Sequence, residues 1–247
     1  MKLALISDLH ANREAVEAVF AHALEQGVDQ YALLGDFVGY GADPGWVVGQ
    51  LRRLVSAGAI AVLGNHDAAV LGSLGDSMAP QAREAVVWTR QHLSSDQLDF
   101  LGALPMSVTD ADRHFVHASA DEPDQWRYVQ CRIDAVDSLR ATDRRHIFCG
   151  HVHEPRLYHL TDGGEAGDLQ PIPGMAMSLS QQCRWLAIVG SAGQPRDGNP
   201  AACYATFDTD SATLTAFRVP YDHEKAAAKI IAAGLPANLA ERLMRGT

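Results

Sequence analysis

The chain lacks a basic surplus, a cysteine pattern and any long apolar run, and each lack removes a class of function. Lys and Arg number 20 against 30 Asp and Glu, giving a formal net charge of −10. Nucleic-acid binders ordinarily carry the opposite balance, because basic side chains displace phosphate counterions, so duplex binding is not expected. The four cysteines (Cys131, Cys149, Cys183 and Cys203) are scattered, with no C-x-x-C pair. That excludes a Cys-rich zinc module or a dithiol redox motif and fits a reduced, cytoplasmic chain. No stretch approaches the roughly eighteen apolar residues of a membrane span, and the run Leu3–Ile6 is too short for a signal-peptide core. Neither a membrane nor export is expected.

What remains is a globular composition, 247 residues with 47% apolar, enough to bury a core without disulfides. Short apolar runs at Leu3–Ser7, Val28–Leu34 and Ala59–Leu63 read as buried strands. Between them, helices are expected over Arg13–Gln26, with Asn12 as N-cap and Gly27 as stop, and from Pro44 to Ser56 behind an Asp43 cap. Strand–helix alternation of this kind builds parallel sheets through right-handed crossovers. A helical stretch from Gln81 to Leu104, broken near Ser94, separates this half from a strand-rich one. There, strands are expected at Met106–Thr109, His114–His117, His146–Cys149, Arg156–His159, Trp185–Val189, Tyr204–Phe207 and Thr213–Val219. A closing helix over His223–Ala233 and a short one after Pro236 follow. With no evident linker, one α/β domain spanning residues 1–247 is expected.

Polar residues stand where the apolar runs stop: Asp8-Leu9-His10, Gly35-Asp36, Gly64-Asn65-His66-Asp67, His117 and Gly150-His151-Val152-His153. Ligands of open α/β sheets bind beyond the carboxyl ends of the strands, so five segments deliver Asp, His and Asn to one edge. In extended backbone, residues i and i+2 share a face, which would bring Asp8 together with His10 and His151 together with His153. Oxygen and imidazole donors without thiolate suit Mn, Fe, Zn, Ni or Co. An Asp at a strand end is ordinarily a turn former or cap. Against that, G-N-H-D is expected by chance on the order of 0.001 times in such a chain.

This ordered series, D-x-H, G-D, G-N-H-D, H and G-H-x-H, resembles that of the calcineurin-like metallophosphoesterases. The loop Gly190–Asp197 is similar to one in their small bacterial phosphodiesterase-like branch. The resemblance implies a four-layer α/β sandwich of two mixed β-sheets flanked by helices. It also implies two divalent transition-metal ions, manganese among the candidates. Asp8, His10, Asp36 and His153 would hold the first, and Asp36 (shared), Asn65, His117 and His151 the second. His66 matches the family's catalytic histidine, with Asp67 expected to hold it. Asn12, Tyr40 and Arg196 lie near the crevice by sequence and are expected to line it, with Arg196 binding substrate phosphate or pairing with Asp197.

The implied activity is hydrolysis of a phosphodiester or phosphomonoester of a small molecule or nucleotide, by a hydroxide bridging the two ions. Dinucleoside polyphosphates are an alternative substrate. The stretch Gly35–Gly41 lacks the Asp and Arg of the protein Ser/Thr phosphatases, which argues against that branch. A non-catalytic scaffold of the same fold is the competing reading, but such relatives tend to lose site histidines and this chain keeps every one. His22, His92, His114, His146, His159 and His223 fall outside the motifs and read as surface or packing residues.

Overall fold

A computed structural model describes residues 1–72 and 78–247. Strand β1 (Lys2–Ile6) leads to helix α1 (Arg13–Glu25), then β2 (Gln30–Leu33), α2 (Pro44–Ser56), β3 (Ile60–Ala61) and α3 (Asn65–Leu71). Helices α4 (Pro80–Gln91) and α5 (Ser95–Gly102) precede the hairpin β4 (Ser107–Asp110) and β5 (Arg113–Val116), then α6 (Arg132–Arg140) and β6 (His146–Cys149). The remainder comprises β7 (Arg156–Thr161), β8 (Ala166–Leu169), β9 (Ala176–Ser178), β10 (Cys183–Ile188), β11 (Ala202–Asp208), β12 (Thr213–Val219), α7 (His223–Ala232) and α8 (Ala237–Arg245). Among the described residues these strands form two six-stranded sheets, ordered β3-β2-β1-β11-β12-β9 and β4-β5-β6-β10-β7-β8. Both are mixed: β1–β2 and β2–β3 pair parallel and β1–β11 antiparallel, while β5–β6 and β6–β10 pair parallel and β10–β7 antiparallel.

The strand period of two sorts the side chains into layers. In β1, Leu3 and Leu5 enter the apolar layer between the sheets with Ala32, Phe115, Phe148 and Phe207. Ala4 and Ile6 face the other way, onto Val16, Val19, Val47 and Leu51 of α1 and α2. In the second sheet, Phe115 and Phe148 point inward while Val116, Ile147 and Cys149 pack under Ala135 and Leu139 of α6. Two sheets with helices on both outer faces are therefore the observed α/β architecture. No helix among the described residues is long and apolar enough to cross a membrane.

Local signals place most helix ends. The Asn12 Oδ1 accepts the Ala15 N–H at 3.2 Å, capping α1. Ser94 and Gln97 form a reciprocal capping box that starts α5, the cause of the break in the long helical stretch. Asp43 sits at the N-cap of α2 but does not cap it; its carboxylate accepts from Lys229 Nζ at 2.7 Å instead. Sequence pattern missed α3, α6, β8 and β9. Of α6 only Ala135, Ser138 and Leu139 are buried, and β8 and β9 carry no buried residue that would print an alternation.

Candidate metal centre

The polar segments do gather at one sheet edge. Asp8 and His10 follow β1, Asp36 follows β2, Asn65 and His66 open α3, His117 follows β5, and His151 and His153 follow β6. All eight belong to turns or a helix start, not to strands. Asp8, His10, Asp36, His151 and His153 have φ of 55°, 45°, 53°, 66° and 67°. Side chains in such left-handed turns do not alternate, which corrects the same-face reading of His151 and His153. His153 joins Asp8, His10 and Asp36 in one buried group, whereas His151 joins Asp36 and His117 in a second, each with donor atoms within 4.8 Å of one another. Asp36 belongs to both.

Neighbouring backbone fixes these turns. Asp8 N–H donates to Gly35 O, His10 N–H to Asp36 O and Ala11 N–H to Phe37 O at 2.9–3.0 Å, so the loops after β1 and β2 run as one ladder. From the loop after β10, Gly193 N–H and the Ser191 hydroxyl both reach Asp8 O, at 2.8 and 3.0 Å. The two motif aspartates also bind across segments: Asp36 Oδ1 accepts the His66 N–H at 2.8 Å, and Asp8 Oδ2 accepts the His151 N–H at 3.1 Å.

The rings are presented as ligands. His153 Nδ1–H donates to Gln194 O (2.6 Å), His117 Nδ1–H to Leu34 O (2.7 Å) and His10 Nδ1–H to Val38 O (3.3 Å). A carbonyl can only accept, so each bond directs the Nε2 of its ring at the cluster. His10 Nε2 and His153 Nε2 face each other at 3.1 Å, two acceptors in contact if both rings are neutral. Asp8 Oδ1 and His151 Nε2 are buried with no hydrogen-bond partner.

Asp8 and Asp36 are 0% and 1% exposed, and both form ion pairs with histidines of the cluster. Burial works against the charge on both, yet His153 beside Asp8 and His117 beside Asp36 hold the carboxyls below their ordinary range. Burial pushes His10 well down, and burial with His117 nearby brings His151 to about 3, leaving both as neutral donors. For His117, burial is overridden by Asp36, which lifts it to about 9; its proton stands where a cation's charge is wanted. Buried carboxylates, converging lone pairs and orphaned donor atoms together fit divalent cations.

The other expected residues divide. Asn65 Oδ1 lies 3.1 Å from His117 Nε2, at the second group. The His66 ring packs 4.4 Å from Tyr40 and 5.1 Å from His10, and its Nδ1 is buried without a partner. Asp67 does not hold that ring: Oδ1 accepts the Phe37 and Val38 N–H groups and Oδ2 the Gly64 N–H, pinning the loop after β2 to α3. Asn12 is likewise bound to the scaffold, its Nδ2 donating to Gly193 O and the Tyr221 hydroxyl, and it lines a small cavity with His10 and Tyr40. Arg196 does not pair with Asp197, which Arg218 takes; its Nη2 donates to Gln194 Oε1 at 3.0 Å and its guanidinium lies 5.9 Å from the Tyr40 ring centre. The six remaining histidines lie elsewhere, for example His22 on the Tyr204 hydroxyl and His92 stacked on Trp88. Two residues escaped sequence reasoning. Tyr128 stacks on His151 at 4.0 Å and Trp126 meets His117 edge-on at 5.9 Å. The only signal was two aromatics two apart in a polar stretch after His117.

Residues 1–212 match the model of the calcineurin-like phosphoesterase superfamily domain. The chain is 35% identical to an uncharacterized protein of Methanocaldococcus jannaschii, over 99% of this chain and 98% of that one. A metallophosphoesterase from Sphaerobacter thermophilus is 37% identical, with a TM-score of 0.87 over 100% of this chain and 99% of its own. A hypothetical protein from Pyrococcus horikoshii shares the fold at 16% identity, with a TM-score of 0.81 over 100% and 98% of the two chains. The chain therefore belongs to the calcineurin-like phosphoesterase superfamily.

Proposed function

We propose that the protein is a metal-dependent phosphoesterase acting on a small phosphodiester or phosphomonoester. The observation that carries this reading is the pair of buried donor groups sharing Asp36. Asp8, His10, Asp36 and His153 would hold one divalent cation, and Asp36, Asn65, His117 and His151 a second. Bound there, such ions supply charge neutralisation for the phosphoryl oxygens and lower the pKa of an attacking water. Manganese, iron, zinc, nickel and cobalt all suit these ligands.

The chain's own residues supply the rest. His66 stands beside Asn65 without being needed as a ligand, and its imidazole N–H passes a proton to the departing oxygen. Burial lowers this ring, and an anionic phosphate beside it raises it again toward the protonated form. Arg196 adds a positive charge close enough to act on His66 and steers an anion into an otherwise acidic molecule. Both sheets contribute ligands, so residues 1–247 act as one catalytic unit. A cytoplasmic setting belongs to this reading and is supported by four cysteines without a disulfide.

The test is hydrolysis of bis-p-nitrophenyl phosphate and p-nitrophenyl phosphate with each of the five ions added. Turnover that depends on the ion is expected. No turnover above background with any of them would leave the non-catalytic scaffold as the better reading.

A further inference from the structure

The segment between β5 and α6 brings two aromatic side chains to the second donor group, and the hydrolytic reading does not use them. Tyr128 lies nearly parallel to the His151 ring, with an interplanar angle of 26° and a centre separation of 4.0 Å, yet the residue is 48% exposed. One face of the phenol ring covers a proposed ligand, and much of the remainder is open to solvent. Trp126 approaches His117, the other imidazole of that group, at 69°. It is held in the left-handed region at φ 52°, where a bulky residue is strained, directly after the 3-10 turn Pro123–Gln125. The guanidinium of Arg196 acts on the phenols of both Tyr128 and Tyr40. A guanidinium cation, a group of candidate metal ligands and an exposed flat ring therefore lie side by side.

We infer that Tyr128, with Trp126 beside it, is the platform on which the organic group of the substrate stacks, and that this group is a planar heteroaromatic ring carried on a phosphate ester, as in a nucleotide. Shielding of His151 alone is the simpler role, but any aliphatic side chain could shield it. An exposed aromatic ring also offers a π-face, which is sequence-tolerant and favours flat ligands. Arg196 is placed to meet the phosphate end or to lie against the ring as a cation. This inference rests on the phosphoesterase reading for the position of the phosphate, and its test is a binding measurement that does not need turnover.

The probes are the phosphonate analogues of AMP and of ribose 5-phosphate, whose P–C bond resists hydrolysis, titrated calorimetrically into the Mn²⁺-supplemented protein. Stacking on an aromatic side chain should make the adenine-bearing probe bind about 5- to 150-fold more tightly. Tyr128→Leu should remove that preference and Tyr128→Phe should keep it, because the ring and not the hydroxyl makes the platform. Trp126→Leu should reduce it. Equal affinity for the two probes, no binding of the adenine-bearing probe, or a parallel loss of both in Tyr128→Leu overturns the inference. Absence of turnover on phosphoesters with the preference intact would instead count against the hydrolytic reading alone.

Discussion

Replacing Gly64 by alanine tests whether the metal centre depends on a close approach of two loops. Gly64 has φ −103° and ψ 169°, ordinary extended backbone open to any residue, so its turn does not require glycine. Space does. A Cβ there would stand 2.1 Å from the Asp36 backbone nitrogen and 2.3 Å from Asp36 Oδ1. Normal contact begins near 3.4 Å, so Gly64 and Asp36 must part by about 1.3 Å. Both are pinned, Gly64 through its N–H to Asp67 and Asp36 through its carboxylate to the His66 N–H. Overpacking of a tight site costs about 1–3 kcal/mol. At about 2–4 °C per kcal/mol for a chain of this size, the melting midpoint should fall by about 2–12 °C. Because the displaced carboxylate is the one shared by both donor groups, bound metal should fall as well. Gly58→Ala is the control: φ there is 97° with no atom within 4 Å, so it costs about 1 kcal/mol or more through backbone strain alone and leaves metal content unchanged. Differential scanning calorimetry with metal analysis by mass spectrometry reads both quantities. A Gly64→Ala protein that melts like the parent and keeps its metal would refute the close-approach account.

Three further outcomes are expected. Asp36→Asn should lose most of the roughly two ions per chain that the dinuclear reading requires, and full metal content by mass spectrometry would end that reading. His66→Gln should keep its metal but lose about 10²–10⁴-fold in kcat on esters with alkoxide leaving groups, with a much smaller loss for p-nitrophenolate, which leaves without a proton. Equal losses on both would show that His66 is not the acid. In the metal-free protein the folded pKa of His117, about 9, lies above its ordinary 6.5. The stability from its pairing with Asp36 is therefore full below about pH 6.5 and lost as pH rises through about 9. Urea denaturation of the parent and of His117→Asn should converge across that window, and a constant gap would contradict the assignment.

Much of this centre was legible because each strand prints a short apolar run and the chemistry begins where the run ends. Thus β1 stops at Ile6 before Asp8, and β6 stops at Cys149 before His151. Less legible was how the turns aim their side chains. Asp8-Leu9-His10 was read as extended, and the convergence of Asp8 with His10 follows, but through left-handed turns at φ 55° and 45°. The same reasoning failed for His151 and His153, which part to different donor groups. Nothing local distinguishes an aspartate whose carboxylate caps a neighbouring loop from one that holds a catalytic ring, and Asp67 does the former. Asn12 illustrates the reverse: its capping role was readable from position, but its bonds to Gly193 and Tyr221 span 181 and 209 residues. Contacts of that separation leave no periodicity in the sequence.

The pairing of β1 with β11 has a consequence for synthesis. Lys2 is in register with Asp208, and Leu5 with Ala205. Strand β1 therefore waits for β11, far later in the chain, before its second edge is covered. At about 5–20 residues per second on the ribosome, the roughly 200 intervening residues take on the order of 10–40 s. During that interval β1 offers an open edge, a template for wrong pairing. The bond from Gly193 that secures Asp8 O is also missing until the chain has grown that far. A nascent chain can thus display Asp8, His10 and Asp36 early, but the bonds from Ser191 and Gly193 that secure Asp8 form only after synthesis has passed that loop.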